Sequence, residues 1–350
     1  MTTRRRIMAA ALVAGCGVAR AHASIADAVE RAASLTPQAS RSVLLAAAQA
    51  GSALVAVGER GIVLRSTDDG RSWQQMPTPV SVTLTAVRFA DADTGYAAGH
   101  GGVVLATRDG GRSWTRVLDG AALAQTVLKA AIAANDAVLT KDARRLVAEG
   151  ADKPLLDLVV LDARHLIVVG AYGIALRSRD GGAGWQSLMG RLDNPDGLHL
   201  YAVRHRAPEL LVAGEQGLAL LSGDGGESFR RLEPPNKGSH FAAELGSAGR
   251  VWLAGLQGHV LYSADHGRSW EALPNRSRAS VTASALTPDG ELITVDQAGL
   301  VQRWERGTAV ALNAQPLPPI NGVLPLPAGG LVLLTNRGAL DLKPASGGAR

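Results

Sequence analysis

Five acidic side chains recur in one local setting along this chain. Asp68, Asp109, Asp180, Asp224 and Asp265 each stand third in the pattern Ser/Thr-x-Asp-x-Gly-x-x-Trp. Gly70, Gly111, Gly182, Gly226 and Gly267 follow two residues on, and Trp73, Trp114, Trp185, Phe229 and Trp270 close the motif. A carboxylate can bind a metal, move a proton or accept backbone N–H groups of its own turn, and its companions decide among these. Here the companions are a hydroxyl, a glycine suited to an unusual backbone shape and a large ring, which together make a tight turn stapled to a core. These Asp boxes are read as structural, and no catalytic residue, metal or cofactor is assigned.

A second set of candidates sits in another turn type. Seven short turns carry Glu59/Arg60, His100/Gly101, Ala171/Tyr172, Glu215/Gln216, Leu256/Gln257, Gln297/Ala298 and Asn336/Arg337. Singly they are wet, polar turn residues. Together Glu59, Arg60, His100, Tyr172, Glu215, Gln216, Gln257 and Arg337, with His199 from a nearby loop, form a mixed rim suited to gripping a polypeptide. His199, His205 and His240 lack a partner at metal-ligand spacing and are read as isolated. Four of six tryptophans are spent in the boxes, and Trp252 and Trp304 fall on expected strands, so a stacked sugar site is poorly supplied.

The elements that position these residues repeat with a period near 41. Each box follows two short β runs joined by a glycine turn, as in Leu54-Val-Ala-Val-Gly-Glu-Arg-Gly-Ile-Val-Leu-Arg65. Two further copies, 292–303 and 331–342, have lost the box, and the turn glycine is present in all seven, at 61, 102, 173, 217, 258, 299 and 338. Four antiparallel strands per repeat make a blade, and radial closure removes exposed edges. The fold class is all-β, a seven-bladed β-propeller of the WD40/YVTN-like kind. The seventh copy stops after its third strand, and Glu30 to Leu35 is expected to supply the missing one. Boxes two and three are 71 residues apart. The excess, an insertion over 119–152, is rich in Ala and Leu, and two helices are expected, Ala121 to Ala134 and Val138 to Glu149. Chain order puts them between blades 2 and 3, on the face of the seven rim turns and opposite the boxes.

The N-terminus bears on compartment. Arg4-Arg5-Arg6 precedes a short apolar stretch and Ala21-His22-Ala23, the pattern of a signal peptide over 1–23 with the propeller domain over 24–350. Periplasmic export is the first expectation. The competing one is acylation of Cys16 within Val13-Ala14-Gly15-Cys16, giving an anchored lipoprotein. Cys16 is the single cysteine, so no disulfide is available. Removing the four arginines before Ser24 leaves 32 basic against 31 acidic residues, a mature charge of +1. That balance gives no electrostatic case for nucleic acid. No segment after the leader is long and apolar enough to span a bilayer, and a monomer is expected.

The seven-blade layout, the boxes, the Gly-Ala-Tyr-Gly turn at 170–173 and the Asn-Pro-Asp-Gly-Leu-His loop at 194–199 resemble the bacterial photosystem II stability/assembly factor-like propellers over about residues 40 to 343. In photosynthetic members the resemblance implies an assembly chaperone holding a membrane subunit. In bacteria without photosystems it implies a partner among envelope or transporter proteins. The helical insertion and near-neutral charge depart from the photosynthetic pattern. Asp boxes also occur in sialidases, so a glycoside hydrolase is the alternative, as is a lipoprotein subunit of an envelope machine. The hydrolase would need three arginines on a substrate carboxylate and a Tyr nucleophile with a Glu partner. No Phe/Tyr-Arg-Ile/Leu-Pro motif is present, and the chain is expected to bind rather than catalyse.

Overall fold

In the computed structural model, which describes residues 25–150 and 152–343, the repeats fold into seven antiparallel sheets, each with strands in chain order. Six sheets have four strands and the last has three. The innermost strands are Leu44–Ala50, Leu84–Phe89, Leu155–Val160, Leu200–Arg206, His240–Leu245, Val281–Leu286 and Ile320–Pro325, numbered here as blades 1 to 7. Each packs against its two neighbours and the first packs against the seventh, so the ring is closed. The second strands, such as Ala53–Gly58 and Val251–Gly255, are buried at every position except Glu209, which opens that of blade 4. Adjacent blades cover both of their faces, which is why they read as continuous apolar runs rather than alternating ones. Burial of each such Val or Leu is worth about 1.5–3 kcal/mol.

The Asp boxes fold alike. Ser66 Oγ donates to Asp68 Oδ1 at 2.7 Å and accepts from Gly70 N at 2.9 Å, while Ser72 donates to the same carboxylate through N (2.9 Å) and Oγ (2.6 Å). Box three has Gly184 in place of that serine and keeps only the backbone bond, 2.8 Å to Asp180. Glycine is required because the backbone is left-handed, φ 86° at Gly70 and 96° at Gly182, and a Cβ on Gly182 would lie 2.8 Å from Val117 of the preceding blade. The closing rings bridge blades: Trp73 packs with Val332 and Leu334 of blade 7, and Trp185 Nε1 donates to Val117 O at 3.3 Å. Blade 6 has no box and turns through Arg306–Gly307, both at positive φ. There Trp304, bonded to Thr294 Oγ1 at 2.9 Å, packs with Leu273 and Trp252 of blade 5 and fills the box tryptophan's place.

One expectation is corrected at the seam. Glu30 to Leu35 forms no strand in blade 7. Ile25–Glu30 is a helix, α1, and the chain beyond it runs along blade 1, with Ala33 N bonded to Thr78 O (3.1 Å) and Ser81 N bonded to Ala28 O (2.8 Å). Apolar burial and charge pairing draw it there: Val29 enters the cluster of Met76 and Val82, and Arg116 holds Glu30 at 2.9 Å. Among the described residues blade 7 therefore has three strands. The ring closes through the cluster of Leu54, Leu64 and Trp73 with Leu326, Val332 and Leu334, and through Asn321 Nδ2 to Leu44 O at 3.0 Å.

The inserted helices are α2 (Gly120–Ala133) and α3 (Ala137–Glu149), within one residue of expectation. Asp119 caps α2 through Ala122 N and Asp136 caps α3 through Val138 N and Leu139 N. Leu123, Val127 and Ala131 of α2 are buried with blades 2 and 3. Among the described residues, no helix is long and apolar enough to cross a membrane. The signal peptide, Ala21-His22-Ala23 and Cys16 lie outside the described residues.

Candidate functional site

The rim opposite the boxes is built from seven hairpin turns. Arg60, Tyr172, Gln216 and Gln257 sit at positive φ, as does Gly101, and the next glycine is left-handed as well. At Gly61 a Cβ would fall 2.1 Å from Val80 O, and at Gly299 1.8 Å from Leu317 O, so the turn glycine lets the returning chain cross each turn. Glu59 and Glu215 serve the scaffold: Glu59 Oε1 accepts from Val43 N at 3.0 Å and Glu215 Oε2 from His199 N at 3.1 Å. Arg60, His100, Gln216, Gln257 and Arg337 are exposed, and among the described residues neither arginine has an ion-pair partner.

The structure concentrates aromatic rings on one sector of this rim. Tyr172, 53% exposed, lies 5.1 Å from the His199 ring, His199 lies 6.2 Å from Tyr201, and Tyr201 lies 5.1 Å from Phe241. His199 thus belongs to a row running from blade 3 to blade 5. Tyr201 and Phe241 occupy one position, the bulge where each inner strand slips register after its first residue. At the same bulge in other blades Thr85 and Thr282 donate to the first carbonyl of the next inner strand, at 2.8 and 2.5 Å. Blades 4 and 5 put rings where those blades put staples. Burial, then the nearby Glu215 carboxylate, raise the Tyr201 phenol above its ordinary pKa. Sequence reasoning missed Tyr201 and Phe241. Aligning the seven inner strands on their first residue places both one position further on and marks them as the only aromatic residues in that column.

Beside Tyr172 a cleft of about 770 Å³ opens between the helical insertion and blade 3. Val127, Ala131, Leu139 and Leu146 line the helical wall, Ile174 and Met189 the other, and the 194–197 loop forms the lip. That loop is held shut on itself by Asn194, which bonds Leu198 N and O at 3.0 and 2.9 Å. Lys153 reaches into this region with its side chain 11% exposed, pairs with Glu149 at 2.8 Å and Asp152 at 2.5 Å, and stands 5.3 Å from the Tyr172 ring centre. Burial opposes its charge, yet those two carboxylates leave its pKa above the ordinary lysine value. Ile132 and Val138, 56% and 70% exposed, stand at the outer end of the helical pair.

The histidines divide. His205 is a lone residue whose pKa burial lowers. His240 is not isolated, correcting the sequence reading: its Nδ1 lies 2.8 Å from His259 Nε2. Among the described residues no group of three metal-ligating side chains occurs. Three arginines do converge on a carboxylate, but it is the chain's own: Arg177 (2.8 Å), Arg179 (2.6 Å) and Arg191 all bond Glu227. Arg191 and Arg177 hold that carboxyl down at about 2.

A family model described as photosynthesis system II assembly factor YCF48 matches residues 46–144 and 137–312. The chain belongs to the YCF48 family. Among solved structures it is similar to YCF48 bound to D1 peptide, at 17% identity and TM-score 0.65, covering 90% of this chain and 97% of that one. YCF48 from Cyanidioschyzon merolae aligns at 15% identity and TM-score 0.66, over 88% and 97% of the two chains. A GH74 enzyme of Niastella koreensis shares 15% identity and a TM-score of 0.62 over 88% of this chain and 44% of that one. At these identities the likeness is one of propeller fold. No curated protein matches the chain in sequence.

Proposed function

We propose that this protein is a binding scaffold that holds a polypeptide segment of a membrane or envelope protein during assembly of its complex, and that it does so with the rim formed by the aromatic row and the cleft. The observation carrying this reading is an asymmetry. A row of aromatic rings led by exposed Tyr172, a cleft of mixed apolar and charged lining, and two arginines without ion-pair partners among the described residues share one face, while the box carboxylates opposite are consumed by their own turns. Membership in a family of assembly factors and likeness to a YCF48 that binds a peptide support the same reading. Against a sialidase-like site, the three arginines that converge among the described residues are occupied by the chain's own Glu227, which supports binding as the reading. The leader pattern supports a periplasmic scaffold cleaved before Ser24; N-terminal sequencing distinguishes this from lipidation at Cys16.

The test is capture of partners by the tagged mature protein from its own cell envelope, beside a variant lacking residues 121–149. A specific membrane or envelope protein retained by the wild type and lost from the folded deletion variant is expected. Equal capture by both would remove the cleft from the function, and glycoside cleavage with no captured protein would overturn the scaffold reading.

A further inference from the structure

Blade 5 departs from the repeat where the other six agree. The first inner-strand residue is a buried aliphatic in six blades, Leu44, Leu84, Leu155, Leu200, Val281 and Ile320, each at most 1% exposed. In blade 5 it is His240, with no exposure at all. The residue after the turn glycine follows suit: Ile62, Val103, Ile174, Leu218, Leu300 and Ala339 in six blades, and His259 in blade 5. Both positions have changed together, and the two rings meet at 2.8 Å between nitrogens, 4.9 Å between centres and 79° between planes. A contact between aliphatics has become a hydrogen bond between imidazoles.

Proton accounting defines the state of this pair. His259 Nδ1 lies 2.8 Å from the Leu256 carbonyl, which only accepts, so that nitrogen carries the proton. A neutral His259 then offers the Nε2 lone pair, and His240 Nδ1–H donates to it. His240 Nε2 is left buried without a well-formed hydrogen bond among the described residues, although the Gly217 backbone beside the ring favours its protonated form. A proton arriving there would put a cation in a socket that six other blades keep apolar, at a steep desolvation cost. The charged groups facing the socket give it no counter-ion. Lys237 on the preceding loop repels a proton, Arg276 and Arg278 flank the loop over Gly258, and the Glu215 carboxylate on the blade 4 turn is engaged by His199. Arg204 and Glu244, further along the inner strands, are paired with each other.

His240 immediately precedes Phe241, the end of the aromatic row, and His259 closes the turn that exposes Leu256 at 42%. We propose that the His240–His259 pair is an acid-sensitive latch on the aromatic rim: neutral, it seats Phe241 against Tyr201, and protonation of both imidazoles on acidification sets N–H against N–H, parts the two rings and loosens that end of the rim. The inference rests on reading the rim as the binding surface and adds its regulation. Burial, followed by the His259 ring, pushes His240 down to about 3, and burial lowers His259 as well. Both folded values lie below the unfolded value of about 6.5, so the unfolded chain binds more protons between. The pair's stabilisation is full above that value and is lost as pH falls toward 3.

The deciding experiment is NMR of the mature chain titrated from about pH 7 down to about pH 3, following the histidine Cε1 protons and the nuclear Overhauser contact between the Tyr201 and Phe241 rings. Both histidines should titrate below the ordinary value of about 6.5, and the ring contact should vanish as the second of them takes up its proton. In His240→Leu/His259→Leu, which copies Leu200 and Leu218 of blade 4, the contact should persist throughout. Histidines that titrate near the ordinary value, a contact that survives acid in the wild type, or one lost equally in the double variant would each overturn the latch. No client enters this experiment, so failure of the binding reading shows separately, as absent capture at neutral pH.

Discussion

On the box face, the hydroxyl that opens each motif reaches its aspartate at 2.7 to 2.9 Å in all five copies. On the rim, no two turns expose the same pair of residues, and one sector replaces inter-blade staples with rings. Repetition marks the parts that hold the ring together; divergence marks the parts released from that duty. A blade needs one of its ends to be satisfied and regular, and the other is then free to vary in side chain without costing the fold.

If that division is right, mutations should sort by face. The largest stability loss should come from Asp157, deep in the inner strands and 8% exposed at its side chain. It accepts from Arg88 at 3.3 Å, Arg204 at 2.5 Å and Val203 N at 3.1 Å, and the chain continues through Glu244 to Ser284. Asp157→Ala leaves two guanidinium groups without their shared partner and should cost about 3–5 kcal/mol in denaturant unfolding; a cost below about 1 kcal/mol would show that the network is dispensable. Next comes Ser222→Ala on the box face, which strips Gly226 N of its 2.8 Å acceptor in a buried turn. About 1–3 kcal/mol of stability should be lost with partner capture unchanged once folded. The smallest stability effect belongs to Tyr201→Ala, a half-buried ring on the rim. Its unfolding should shift by no more than about 1.5 kcal/mol, while affinity for the captured client drops about tenfold, equivalent to about 1.4 kcal/mol. A client that binds Tyr201→Ala normally but loses Ser222→Ala would invert the comparison of the two faces.

Much of this was legible because the repeats carry it. Blade number, box geometry, turn glycines and inserted helices each rest on local patterns that recur or on strong helical composition. The seam was not legible. A match between residues 33–45 and the start of blade 2 placed Glu30 to Leu35 on an outer strand, but the preference of Val29 for the Met76 and Val82 cluster and of Glu30 for Arg116 is a tertiary choice invisible to repeat alignment. The aromatic row escaped for a related reason: its members come from blades 3, 4 and 5, and only the shared bulge brings them into one line. His240 and His259, 19 residues apart, read as unrelated until the hairpin folds them together.

The three-stranded last blade also bears on how the ring forms. A propeller closed by a strand borrowed from the opposite terminus must hold its first segment unpaired until its last one arrives. Among the described residues every hydrogen-bonded sheet is assembled from contiguous chain, so sequence separations within a sheet stay short and the entropy of loop closure is met one blade at a time. Among the described residues the joining of blade 7 to blade 1 brings the two ends of the chain together, and it is a docking of side chains, not an exchange of strands. Such a chain can fold blade by blade from its N-terminus, with the circle completed last.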